Sequence, residues 1–522
     1  MSSYTSKKLR VGTASQFIES FSPTSTSGVG YVYISRHLPW ANESNPDQIS
    51  DTTSAERDIW NNLIAAKKIT SNDVEFVIPK AVWSANVFYR QFDDTITLDN
   101  LLSSNVSQNL YSMYVMNSEN NVYKCLSNGA SSLTNEEPIG DNLSNKGIIE
   151  TSDGYIWKYL YNVGVDNKYL TNNWIPAPTS TADLEYDGSS LTTVDGEITT
   201  IVVTNSGSGY RNSTIQVDAF PSACSVLTVS ALVDIPNTIF VNMGVSGNGI
   251  VGDTFITAVN PINRRINLSF STATAGGGSS NLLSILTRVV VEGDGTAALA
   301  SANVTNTSID QITLTNYGSD YTWSNVRIYG TATGANVANA RAIISPKFGH
   351  GFNSAKELGA HNVMIAVKIG EVDTTEGGII SANTSLRQYG LLRNPYKYGQ
   401  SSQVTYANAN TVISQTHDVT LIAGSEYDAN EFVYQGNFSS PTFSGYVDTQ
   451  TTNVVKLTNV RGIISVGSVL KGSSTNPTGR TVFSINYPEF EPYSGDVLYN
   501  ENVEAVFRED GQAENIKFVV KF

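Results

Sequence analysis

Beyond Pro79 the apolar and aromatic positions of this 522-residue chain read almost throughout as strands, and helical spacing is confined to short stretches. Near the N-terminus, Thr13-Ala14-Ser15-Gln16 predicts a short helix capped by Thr13, with Phe17, Ile18 and Phe21 on its apolar side. Thr53-Ser54-Ala55-Glu56 is a second capping box, and its helix sets Ile59, Trp60, Leu63 and Ile64 on one face. Tyr31–Ser35 reads as a strand between them. Pro39 and Pro79 fall in connections, where a missing N–H does least harm. Met113–Met116, Asn121–Leu126 and Tyr155–Tyr161 are rich in aromatic and β-branched residues and read as strands. Asn353–Leu358 suits one helical turn, Val363–Ile369 a buried strand, and Val454–Leu457 and Gly467–Leu470 two further strand cores. The last seven residues, Ile516–Phe522, form an apolar strand that is an aggregation hazard unless paired, so it is expected within a sheet.

Composition then divides the chain. Residues 1–178, 349–400 and 487–522 are mixed in character and read as a small α/β frame; the first carries two short helices before its β-rich part. Residues 179–348 and 401–486 are rich in Ser, Thr and Gly and read as inserted β-sandwich or barrel-like modules. The expected fold is therefore mainly β and multi-domain, with an α+β frame. Within 179–348, Ile201–Tyr210 aligns with Ile312–Tyr321 at an offset of 111 residues, and Ile215 and Val217 then fall on Val326 and Ile328. Each copy reads as strand, tight turn, strand, which predicts two related small modules. Gly207 and Gly318 would take φ > 0, with Tyr210 and Tyr321 packing back on the hairpin.

Charge narrows the function classes. Charged residues are 15% of the chain, against about 25% in an ordinary soluble domain. With 32 basic and 47 acidic residues the net charge is −15, so a basic face for duplex nucleic acid is not expected. No apolar stretch approaches the roughly 18 residues of a membrane span, and the opening MSSYTSKKLR lacks the apolar core of a signal peptide. Cys125 and Cys224 read as buried free thiols.

Catalytic signals are weak throughout. His37, His350, His361 and His417 show no metal spacing. His350, between Gly349 and Gly351, is read as a turn histidine rather than a mobile catalytic group. Gly276-Gly277-Gly278 lacks the following Lys of a phosphate loop and reads as a hairpin tip. Asp93, Asp94 and Asp99 lack the order of a calcium loop, and a solvated loop is the plainer reading. Glu136-Glu137, Glu489 and Glu491 are candidate glycosidase carboxylates, but surface acids are far commoner. No cofactor and no catalytic or metal residue is expected.

Six segments, in order, carry a resemblance. They are Tyr33–Trp40; Asp58-Ile59-Trp60 leading to Phe76–Trp83; Val122–Leu126; Asp153–Leu160; Arg387–Pro395; and Gly495–Asn502 running into Glu514–Phe518. Together they resemble the baseplate wedge protein of T4-type contractile-tail phages, the gene product eight family. The resemblance covers roughly 1–178, 349–400 and 487–522 and leaves out the two Ser/Thr/Gly-rich regions. It implies a non-enzymatic structural subunit, dimeric within the wedge of a six-fold baseplate. Its partners would be other wedge proteins, with tail fibres as further candidates, and neither nucleic acid nor membrane. Its place would be the virion tail, after assembly in the host cytoplasm. The candidate partner contacts are Pro39-Trp40 and Pro79 to Trp83. A tail-associated glycan-binding protein or depolymerase is the competing expectation; it requires an exposed aromatic groove with a close carboxylate pair.

Overall fold

A computed structural model describes residues 6–22, 29–129, 132–179, 193–273, 281–330, 336–370, 380, 384–401, 412–509 and 511–522. Strands dominate, arranged in several sheets and one closed barrel. The chain forms two compact units, one of residues 1–78 with 360–522, the other of residues 79–359.

In the first unit, helix Lys7–Glu19 is capped by Ser6, whose Oγ accepts the Leu9 N–H at 3.3 Å. Thr13 is not the cap but lies mid-helix, its hydroxyl donating to Leu9 O at 3.1 Å. The second helix, Thr53–Asn61, is capped by Thr52, one residue before the expected box. It buries Ile59 and Trp60 as expected, but Leu63 and Ile64 belong to the strand Leu63–Lys68. Asn62 stops the helix: its side-chain amide donates to Asp58 O at 2.8 Å, and strand pairing takes over.

A five-stranded sheet follows the order 412–414, 63–68, 30–35, 385–393, 496–507. Across it, Tyr33 on Gly30–Ser35 faces Gly390 on Ser385–Arg393, which faces Asn500 on Asp496–Phe507. Residues more than 350 positions apart in sequence thus lie side by side. In a second sheet, Asn362–Gly370 pairs with Val74–Pro79 on one side and Ala513–Lys521 on the other. The terminal strand is therefore tied into a sheet, with Phe518 opposite Ile365.

Residues 417–486 close a six-stranded barrel around Val419, Val433, Phe443, Val447, Val455, Leu457 and Leu470. This barrel lies inside the expected second module. It packs as part of the first unit, however, because His37, just after Gly30–Ser35, reaches it. His37 Nδ1 is 2.8 Å from Asn430 Oδ1, and Nε2 is 2.6 Å from Thr458 Oγ1.

In the second unit, Tyr114–Met116, Asn121–Asn128, Tyr155–Asn162 and Ile148–Glu150 make a four-stranded sheet over a core of Tyr89, Tyr123, Tyr155 and Trp157. A six-stranded sheet runs in the order 324–329, 288–293, 296–305, 308–319, 198–205, 339–344. Residues 213–286 add two three-stranded sheets over their own core of Ile215, Leu227, Met243, Ile256, Ile266 and Leu283. Residues 79–178 group with this region rather than with the N-terminal 78, which moves the expected boundary at 178/179.

The repeat holds in three dimensions over Ile201–Tyr210 and Ile312–Tyr321 but is not two modules, and it ends there: Ile215 and Val217 join the separate core of residues 213–286, whereas Val326 and Ile328 lie in the six-stranded sheet. Its copies are adjacent antiparallel strands of one sheet, and Ile201 pairs directly with Ile312, its own repeat equivalent. The outer neighbours match as well: Ile201 faces Ala342 and Val203 faces Ala340, while Ile312 faces Ala302 and Leu314 faces Ala300. Asn205 Oδ1 accepts the Gly207 N–H at 3.0 Å and Asn316 Oδ1 that of Gly318 at 3.1 Å. Both glycines have positive φ, 61° and 66°. Both tyrosines are buried; Tyr210 Oη accepts the Ala338 N–H and Tyr321 Oη that of Ala298. One copy alone would leave an edge strand open, so the second copy covers it.

Candidate functional site

The Pro39-Trp40 loop leaves its strand through Arg36, which takes a left-handed φ of 59°. Trp40 turns inward and is 6% exposed; its indole N–H donates to Val503 O at 2.9 Å. The Arg36 guanidinium lies 4.0 Å above the Trp40 ring and 3.4 Å from Asp58. Burial lowers the Arg36 pKa, and Asp58 opposes the shift. Arg387 clamps the same loop, donating to Glu43 at 2.9 Å and to His37 O. Pro39 is left exposed. In the other loop Pro79 is exposed and its carbonyl accepts the Tyr114 hydroxyl at 2.6 Å. Trp83 is half-buried against the Tyr89–Trp157 core, and its indole N–H meets no acceptor among the described residues. Both tryptophans thus spend most of their surface inside, and Pro39 in one loop and Pro79 with Val82 in the other are exposed.

Sequence reading missed the most polar part of the interior. Lys124, on Asn121–Asn128, donates to Glu357 Oε1 at 2.6 Å, and its Nζ lies 3.1 Å from His350 Nδ1. His350 Nδ1 is 2.6 Å from the same carboxylate oxygen, and Nε2 is 2.9 Å from Thr199 Oγ1. The Gly351 N–H reaches Glu357 Oε2 at 2.7 Å. Phe92 closes one side, its ring 3.6 Å from Lys124 Nζ. These partners fix the tautomer: Nδ1–H donates to Glu357, and Nε2 accepts the Thr199 hydroxyl proton. The Lys124 and His350 side chains are 0% exposed and that of Glu357 5%.

Electrostatics follow from that burial. Burial, with Lys124 beside it, pushes the His350 pKa down to about 4, so it is neutral near pH 7. Burial alone would raise the Glu357 carboxyl, but Lys124 and His350 outweigh it and hold it well below its ordinary value. Lys124 is lowered by burial, against the pull of Glu357. Lys158 is likewise lowered by burial, and Glu197 raised by it. With no opening to solvent, this centre holds the 121–128 strand, the 198–205 strand and the short helix Ser354–Glu357 together. His350 does sit in a turn, between Gly349 and Gly351 at φ 87° and 88°, and it is buried there as a linchpin of this centre.

Most of the remaining acidic candidates are held by neighbouring groups. Asp93 and Asp94 both pair with Arg341. Glu136 accepts from Ser152 and Glu137 from Ser118, while Glu491 accepts the Gly399 N–H. Cys125 is buried and Cys224 only half-buried, both free. Gly276-Gly277-Gly278 lies outside the described residues. Among the described residues no group of three His, Cys, Asp or Glu could hold a metal ion, and no helix is long and apolar enough to cross a membrane. No protein-family model and no curated protein matches the chain.

Proposed function

We propose that this chain is a structural subunit of a contractile phage tail baseplate wedge, linking neighbouring wedge proteins and moving as a rigid body when the tail contracts. One observation carries the reading. Three of the segments that resemble the wedge family, drawn from residues 33–40, 387–395 and 495–502, meet in a single row of one sheet. Tyr33 and Asn500 flank Gly390 across that row, and the Tyr33 hydroxyl donates to Asn500 Oδ1 at 2.9 Å above the glycine. A Cβ on Gly390 would stand 2.1 Å from the Tyr499 main-chain carbonyl oxygen and 2.5 Å from Tyr33 Oη, so the tyrosine at 33 and the neighbouring strand leave room only for glycine at 390.

The rest of the molecule is consistent with such a part. Its interior is closed by buried ion pairs and tyrosine hydroxyls, which favours whole-body movement over internal rearrangement. A net charge of −15 makes copies repel at long range, so contacts with partners must be closed by apolar and aromatic surface. Pro39 and Pro79 head the candidate contacts. As a test, the tagged chain is purified from cells producing the virus, and the eluate is viewed by electron microscopy. A six-fold tail-tip assembly is the expected result; a chain recovered alone contradicts the proposal.

A further inference from the structure

The barrel has an outer face that its own packing does not explain. Val433 and Gln435 point inward and are 0% and 2% exposed, so Phe432 and Tyr434, alternating with them on Phe432–Asn437, face outward. At the hairpin tip Phe438 folds back over both, with ring centroids 6.0 Å from Phe432 and 5.2 Å from Tyr434, while remaining 58% exposed. Gly436, at φ 86°, and the Asn437 side chain, accepting the Ser439 N–H at 3.4 Å, shape that tip. The aromatic face is therefore preformed.

Cations flank it. In register across four strands run Lys471, Tyr434, Ser444 and Arg461. Arg461 is exposed and Lys471 half-buried, and neither pairs with a carboxylate among the described residues. In the same barrel Arg480 is buried and commits its guanidinium to Ile422 O, Thr452 O and Asn453 Oδ1. Glu431, one residue before Phe432, is buried and accepts the Ser474 and Thr475 N–H groups. Around the rings stand Asn437, Ser439, Ser440 and Thr442, all exposed small neutral donors and acceptors.

We propose that this face of the barrel binds an acidic glycan. The flat C–H face of a sugar ring packs on Tyr434 and Phe438, the neutral rim meets its hydroxyls, and Arg461 and Lys471 take its carboxylate groups through charge-assisted hydrogen bonds. A single-stranded nucleic acid fits less well. Its backbone carries one charge per nucleotide, this face offers two cations, and the chain as a whole is at −15. The proposal does not rest on the baseplate reading and leaves it untouched if it fails.

The test uses the full chain and tetragalacturonate, with maltotetraose and a short oligodeoxythymidine as comparison probes, by titration calorimetry. Tetragalacturonate is expected to bind at least about ten-fold more tightly than either, and less tightly as salt rises. Tyr434→Ala and the double variant Arg461→Ala/Lys471→Ala should each weaken it about ten-fold or more. The charge variant lies outside the barrel core, so it decides the matter if Tyr434→Ala fails to fold. Equal binding of acidic and neutral probes, tighter binding of the oligonucleotide, no binding at all, or affinity unchanged in the charge variant would each overturn the proposal.

Discussion

One buried polar cluster from each unit makes a contrast, one charged and one neutral, although the first unit also buries Arg508 against Glu514 and Arg387 against Glu43. In residues 79–359 a formal ion pair, Lys124 with Glu357, is sunk out of water with a neutral His350 against it. In the other unit the Tyr33–Gly390–Asn500 row uses only neutral groups, joined by one hydrogen bond of 2.9 Å over a missing Cβ. A buried ion pair costs desolvation on both partners, so it holds only while both are present. A neutral hydrogen bond contributes less and is lost at lower cost. The charged centre should therefore be the brittle one and the neutral row the tolerant one.

The largest expected effect is at Glu357. Glu357→Gln leaves Lys124 buried without its counter-charge and should cost about 3–5 kcal/mol, read as a fall in the urea midpoint. A Lys124→Met/Glu357→Leu double variant should lose clearly less than the sum of the two single changes; additive losses would show that the pair does not act as a unit.

Acid should act on the same centre. His350 has a folded pKa of about 4 against an ordinary 6.5. Its contribution is thus complete above pH 6.5 and is lost as pH falls through 4, a difference of about 3 kcal/mol. Glu357, also depressed, contributes above its ordinary value of 4.5 and loses that on further acidification, in the same direction. Burial lowers His37 too, so the pin between sheet and barrel weakens with acid. Stability profiles of the native chain and of His350→Gln should converge toward low pH; parallel profiles would exclude His350 as the titrating group.

The neutral row should yield smaller numbers. Gly390→Ala forces a Cβ against the Tyr499 carbonyl and should cost about 1–3 kcal/mol by thermal unfolding. Tyr33→Phe should cost about 1 kcal/mol, through loss of the hydroxyl's bond to Asn500 Oδ1 and its longer one to Tyr499 O. The smallest effect tests the repeat. Tyr210→Phe and Tyr321→Phe each release one backbone N–H and should cost about 1 kcal/mol apiece, within a few tenths of each other. Sharply unequal losses would mean that the two halves differ energetically despite their matching geometry.

What could be read from the sequence follows the same division. The strand segments, the terminal strand and the repeat were legible because each is a local pattern of residue types. The turn glycines Gly207 and Gly318 were legible because a polar residue before them and a tyrosine after them recur at both sites. Helix starts were misplaced by one to several residues because Ser6 and Thr52 compete with nearby Thr and Ser residues that look equally suited. The 178/179 boundary shifted because residues that unite the second unit, Lys124 with Glu357 and Asp93 with Arg341, are 233 and 248 positions apart. No spacing rule connects them. Lys124 and Lys158 read as ordinary strand lysines, and only folding shows that both are buried. The barrel's aromatic face was equally hidden, since register across four strands, not sequence, sets Tyr434 between Lys471 and Arg461.

The central claim is that the interlocked segments mark a part of a contractile tail. Electron microscopy of purified virus particles labelled with a gold-conjugated antibody against this chain tests it most directly. The account predicts gold at the end of the tail distal to the head, on extended and contracted particles alike. Label on the head, or intact particles that carry none, would contradict it.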